Sequence, residues 1–243
     1  MSTVDAPRTT RPRPSQTRRA AQWLLWSHLY MAAWFWGIII AIAVVATVFL
    51  TDDRFGDGSS SAVGFGVQAG MWFSFAMAIA LSLRQLAPHL AAGMTRRSFF
   101  RANLLVSSAM AALYAVVMVL LLWVESLIAA ALGWERPTVS MVLYDSLSDW
   151  PGLLAVYLLV FLVGATAGLV VGMAYQRLGG IWGTVALVPA IPPVFLVMDL
   201  LADGGARWVP DAFDPSLVRM AVAVVIAVAY ALVYRVQVRR VTV

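Results

Sequence analysis

The chain has 243 residues, of which 62% are hydrophobic and only 12% are charged. An ordinary soluble domain is about 45–50% apolar and about 25% charged, so this composition excludes a soluble globule and a disordered chain and indicates a polytopic membrane protein. The absence of Cys excludes disulfides and thiolate metal sites, and the absence of Lys excludes a phosphate-binding Walker-A lysine.

Charged residues separate six apolar runs, which predict an all-α membrane protein with one transmembrane domain over residues 20–243. With a cytoplasmic N-terminus, most of the 17 arginines fall in inner segments and all of the 12 acids except Asp5 fall on the outer side. The positive-inside rule therefore predicts that both termini are cytoplasmic. The six spans are predicted near 32–50, 64–83, 103–124, 153–175, 180–199 and 217–235.

The N-terminal stretch over residues 1–19 is rich in Arg, Pro, Thr and Ser, which predicts a disordered basic cytoplasmic tail. Immediately after it, Trp23, Trp26 and Tyr30 share one helical face. Residues 15–31 are therefore either an amphipathic helix lying in the inner interface or the inner end of a long first span with an aromatic belt.

The longest inner loop, Arg84–Arg101, joins the second and third spans. Gly93 is typical of a helix stop and Thr95 of a helix cap, so we expect a short helix over Gln85–Ala92 and a third span that is capped by Thr95. A short helix held across the membrane surface has a shape that the groove of a partner protein can grip.

The string Gly-x-Thr-Arg-Arg-x-x-Phe opens the third span of this six-span chain, which carries no ATPase motif of its own. In this it resembles the permease subunits of ATP-binding-cassette (ABC) exporters of the second type. The likeness covers most of the chain as topology and about residues 84–101 as a motif. It implies that a coupling helix at Gln85–Ala92 docks on a separate cytosolic ATP-binding subunit. The coupling residues it implies are Gln85, Leu86, Pro88, His89, Leu90, Gly93, Thr95, Arg96 and Arg97.

The resemblance further implies that ATP and Mg²⁺ bind to the partner subunit, so that this chain itself binds no cofactor. Because the two His residues, His28 and His89, are far apart in sequence and no nucleophile motif lies near them, we expect no metal site and no catalytic residue in this chain. It implies a homodimer, or a heterodimer with a similar permease, in the plasma (inner) membrane of a bacterium. We expect lipid contacts but no nucleic-acid partner, because no soluble domain gathers the basic residues on one surface. The alternatives are a non-transport assembly or regulatory module that binds a partner at the inner face, and an intramembrane enzyme.

Span four contains Gly164, Gly168 and Gly172, a doubled small-xxx-small pattern on one helical face. Because glycine lets two backbones approach closely in lipid, the pattern predicts a tight helix–helix contact. The sequence leaves open whether that contact lies within the chain or between subunits.

Two further features lie within or next to the predicted spans. Pro189, Pro192 and Pro193 fall near the middle of span five, where they indicate either a hinge in a translocation path or a static kink. Glu125 lies at the outer end of span three and is either an interfacial carboxylate or, if the helix tilts, an acid that faces a cavity.

Overall fold

A computed structural model describes residues 15–50, 63–64, 66–133, 147–202 and 215–241. Apart from a short 3₁₀ turn at Leu147–Asp149, every regular element in this part of the chain is an α-helix, which confirms the predicted all-α class for the described residues. The helices are α1 (Gln16–Leu50), α2 (Gly66–Ala91), α3 (Arg96–Leu132), α4 (Trp150–Val185), α5 (Leu187–Ala190), α6 (Pro192–Leu200) and α7 (Pro215–Arg240).

Five of the described helices, α1, α2, α3, α4 and α7, are long and apolar enough to cross a membrane. The chain is therefore compatible with a multi-pass membrane protein. The helices extend beyond the predicted spans, as α3 does beyond 103–124, because arginine and glutamate, such as Arg96, Arg101 and Glu125, favour the helix and do not end it. The fifth predicted span, 180–199, is not one long helix but is divided between the end of α4 and the short helices α5 and α6.

The N-terminal boundary falls in residues 15–19, where the predicted tail (1–19) and the predicted helical stretch (15–31) overlap. The Ser15 hydroxyl accepts the Arg18 N–H at 3.3 Å, and α1 begins at Gln16, so residues 16–19 are helical rather than part of a tail. The remaining tail prediction, for residues 1–14, lies outside the described residues. Because α1 continues unbroken to Leu50, the aromatic stretch is the first part of one long helix and not a separate interfacial helix.

Helix α4 lies at the centre of the bundle, and its closest neighbour is α2. A Cβ at Gly168 would overlap the carbonyl group of Phe75 on α2. A Cβ at Gly172 would lie 2.6 Å from the Ile79 carbonyl oxygen, and Gly164 continues the same seam one turn earlier. Since residue numbers rise together on both helices, α2 and α4 run parallel. The glycine pattern is therefore used for packing within the chain.

The chain reverses direction inside α4, at Gly179. This residue has φ 79° and ψ −177°, a conformation that is essentially restricted to glycine. Beyond the reversal, Gly183 packs against the ring of Tyr175, and the Thr184 hydroxyl lies 3.0 Å from that of Tyr175. The chain then returns along the bundle through α5 and α6, both of which pack against α4.

Candidate functional site at the basic end of the bundle

The loop to which the resemblance assigns coupling joins the end of α2 to the start of α3 in a tight turn. Residues 85–99, which include the last turns of α2 and the first turn of α3, are called the corner below. The sequence predicts a short separate helix over Gln85–Ala92, lying across the membrane surface. This prediction is wrong, because α2 continues through Pro88 to Ala91 without a break. Pro88 is tolerated because it removes only the donor for the Arg84 carbonyl, near the exposed end of the helix. Gly93, with φ 72°, ends the helix, and its N–H donates to the Leu90 carbonyl at 2.9 Å.

Side chains lock this corner from inside. The Thr95 hydroxyl accepts the Ser98 N–H at 3.1 Å, which confirms the predicted cap of α3. The Ser98 hydroxyl donates to the Thr95 carbonyl at 2.7 Å, so the Nε2–H of His89 is the donor in its 2.9 Å contact with Ser98. The His89 ring meets the fully buried Phe99 ring edge-on at 5.2 Å. The end of α2 and the start of α3 are thus held as one unit.

The corner is also tied to the first and last described helices. The Thr95 N–H donates to Gln16 Oε1 at 3.4 Å, which connects the corner to the first turn of α1. The Arg96 guanidinium donates to the Arg239 carbonyl at 3.2 Å, which connects it to the last turn of α7. Both described chain ends therefore lie at the same end of the bundle as the corner.

This end of the bundle, called the basic end below, carries most of the described positive charge. The described acids lie far from it: on α3, for example, Glu125 is about 44 Å of helix rise from Arg96. The structure therefore preserves the charge asymmetry that the sequence shows. The exposed arginines at the basic end are Arg18, Arg19, Arg84, Arg96, Arg97, Arg101, Arg177, Arg235, Arg239 and Arg240.

A groove of about 360 Å³ separates the start of α1 from the corner. No motif in the sequence assigns the α1 side of this groove to a site, although arginines next to an aromatic helical stripe are a usable signal for it. The pairing of α1 with the corner depends on tertiary contacts and could not be read from spacing. The groove is lined by Gln16, Arg19, Ala20, Trp23, Leu24, Gln85, Pro88, His89, Ala92, Met94 and Phe99.

The prolines of the predicted fifth span lie far from this groove, at a break between two short helices. Pro192 and Pro193 begin α6 and bring no N–H groups to the backbone. The Val194 N–H donates to the Ile191 carbonyl at 2.9 Å, and the Ala190 carbonyl accepts the Tyr230 hydroxyl of α7 at 2.6 Å. The break is therefore closed by a side chain. Pro189 is exposed on α5.

Glu125 belongs to the opposite end of the bundle. Its side chain is half-buried, and its Oε1 accepts the Val63 N–H at 3.2 Å, just before the start of α2. The structure therefore does not bring Glu125 together with the corner residues. Within the described residues, no three His, Asp or Glu side chains form a group that could hold a metal ion.

Together, the apolar helices and the basic end are compatible with a multi-pass helical membrane protein that has a hydrogen-bonded corner at its positively charged end. No protein-family model, no curated protein and no solved structure matches the chain.

Proposed function

We propose that this chain is the transmembrane permease subunit of an ATP-driven ABC-type exporter. The observation that carries the proposal is the α2–α3 corner, which is exposed at its tip and tied by hydrogen bonds to both α1 and α7. A force applied to the corner would act on α2 and α3 directly, and on α1 and α7 through these hydrogen bonds. The Gly-x-Thr-Arg-Arg-x-x-Phe resemblance falls on the same residues.

In this proposal a separate cytosolic subunit binds ATP and Mg²⁺ and docks on the corner. Arg96 and Arg97 flank the docking surface, and both are exposed. Positive side chains would attract acidic groups on the partner and fix its orientation. Gly93 and Thr95 would keep the corner stiff, so that movement of the partner is passed to the helices rather than absorbed by the loop.

The proposed topology has six crossings with both termini in the cytoplasm of a bacterium. The fifth crossing would be made by the broken segment 180–202, in which the freed Ala190 carbonyl accepts the Tyr230 hydroxyl. Irregular backbone is tolerated at membrane depth where protein buries it. We further propose that two permease subunits, identical or similar, form the transport unit. An apolar or amphipathic cargo, such as a lipid, drug or peptide, suits its apolar surfaces.

The test is to purify the chain from its native host in mild detergent and to assay the preparation for a nucleotide-binding partner and for ATP hydrolysis. The variant carrying both Arg96→Gln and Arg97→Gln should lose most of the associated ATPase, with unchanged insertion into the membrane. Arg177→Gln is the matched control, because Arg177 is an exposed arginine at the basic end but lies outside the corner. It should retain the partner.

The competing function is a non-transport assembly or regulatory module that holds a partner at the inner face. Recovery of a stable partner without nucleotide-binding activity would favour that function and overturn the exporter. Equal ATPase recovery with wild-type protein and with the double variant would remove the corner from the coupling mechanism.

A further inference from the structure

The groove between the start of α1 and the corner has features that the exporter proposal does not use. We propose that this groove binds the headgroup of one anionic phospholipid from the leaflet at the basic end, with Arg19 on the phosphate. The proposal goes beyond transport and stands without it, since it depends only on the groove and on the chain's position in a bilayer.

Charge is the first argument. Among the residues that line the groove, Arg19 carries a permanent positive charge, and it is exposed. The described carboxylates are Glu125, Asp149 and Asp199, and they lie at the opposite end of the bundle. None of these three competes for the Arg19 guanidinium. An arginine can hold two phosphate oxygens with parallel N–H bonds. The other arginines of the basic end would raise the local concentration of anionic lipid.

Neutral donors lie beside that charge. Gln16 uses its Oε1 to accept the Thr95 N–H, which leaves its amide NH₂ as a donor at the rim of the groove. The Gln85 side chain lines the facing wall and is half-buried. His89 is not counted as a phosphate ligand, because its Nε2–H already donates to Ser98 inside the corner.

The apolar side of the groove points to a lipid rather than to an acidic protein segment. Leu24 and Phe99 are buried at its base, and Trp23 forms one edge with 60% of its surface exposed. The exposed aromatic face continues from Trp23 along α1 to Trp26 and Tyr30, which are 75% and 64% exposed. Exposed Trp and Tyr at this spacing are typical of the membrane–water interface. The groove is thus continuous with the flank of the bundle rather than confined to its tip.

The experiment uses the full chain, exchanged into neutral detergent and titrated with phosphatidylglycerol or phosphatidylcholine while lipid adducts are counted by native mass spectrometry. Wild-type protein should hold one phosphatidylglycerol in preference to phosphatidylcholine. Arg19→Gln should weaken that binding about tenfold, because a hydrogen-bonded charge is lost. Arg18→Gln is the matched control, since Arg18 is exposed on the same turn of α1 but does not line the groove.

A second variant tests the groove without removing charge. Ala92 lines the groove and is exposed, so Ala92→Trp should fill the space and reduce phosphatidylglycerol binding to a similar extent.

An equal loss in Arg18→Gln and Arg19→Gln would mean general attraction to the basic end and would overturn the site. Lipid binding at the wild-type level by both Arg19→Gln and Ala92→Trp would also overturn it. Displacement of the lipid by excess inorganic phosphate, or by a purified protein partner, would assign the groove to that ligand instead. No nucleotide partner is present, so the result is independent of the exporter proposal.

Discussion

Single side chains in this bundle replace hydrogen bonds that the backbone cannot make. The proline pair that begins α6 interrupts the helix, and the hydroxyl of Tyr230 reaches across from α7 to the carbonyl of Ala190. Glu125 has a comparable role at the other end, where it accepts the Val63 N–H before α2. In a low-dielectric interior such contacts matter because an unpaired backbone group is costly.

Tyr230→Phe should therefore destabilise the protein by about 1–2 kcal/mol, because the buried Ala190 carbonyl loses its donor. The free energy of unfolding, measured by titration with a denaturing detergent, checks this. Tyr157→Phe is the control, since the Tyr157 hydroxyl is buried without a hydrogen-bond partner among the described residues. A larger loss in Tyr157→Phe than in Tyr230→Phe would contradict the assignment.

At the scale of elements, two glycine positions decide how the helices are arranged. The glycine stripe of α4 lets α2 approach until backbone meets backbone, and Gly179 lets α4 turn back on itself. The two roles differ physically. The stripe needs the space of a missing side chain, whereas Gly179 has open space around it and needs only its backbone conformation.

Gly168→Ala should destabilise the α2–α4 seam by about 1–3 kcal/mol, because the added methyl group must displace the Phe75 backbone. Gly37→Ala is the matched control on α1, where a Cβ would have no neighbour within 4 Å. That substitution should be neutral or slightly stabilising, since alanine favours helix. Thermal unfolding of the two purified variants provides the comparison, and equal effects would argue against the seam.

Gly179→Ala should cost about 1–3 kcal/mol, because a Cβ is strained at φ 79° and ψ −177°. Its neighbour Gly180 lies in the helix that follows and also has open space, so Gly180→Ala should be tolerated. The yield of monodisperse protein and its melting temperature measure both effects. If the two variants behave alike, the chain does not reverse at Gly179.

At the scale of the whole molecule, the segment between the reversal and α7 determines whether the chain crosses the membrane five or six times. Because the chain contains no Cys, single cysteines can report on each side of the membrane. We expect Arg177→Cys to react with an impermeant thiol reagent only after cell permeabilisation, and Asp199→Cys to react on intact cells. Both positions are exposed. Labelling of both from the same side would show that 180–199 enters the membrane and returns without crossing it.

Features that act over one helix or one turn follow from the local pattern of residues. Apolar length predicts the membrane helices, and the arginine distribution predicts the basic end, because both follow from the free energy of placing side chains in lipid or water. Gly93 and Thr95 likewise predict the turn between α2 and α3, since their effects act over one helical turn.

Which helix surfaces meet, by contrast, depends on the packing of the whole bundle. The stripe of Gly164, Gly168 and Gly172 predicts close packing, but the choice of α2 as its partner depends on the complementary surface of a helix about ninety residues away. The same holds for the groove, which lies between the start of α1 and the corner, two distant parts of the chain that the contact between Gln16 and Thr95 joins. Sequence spacing records the faces of single helices, whereas a site between helices depends on the packing of side chains that are distant in the chain.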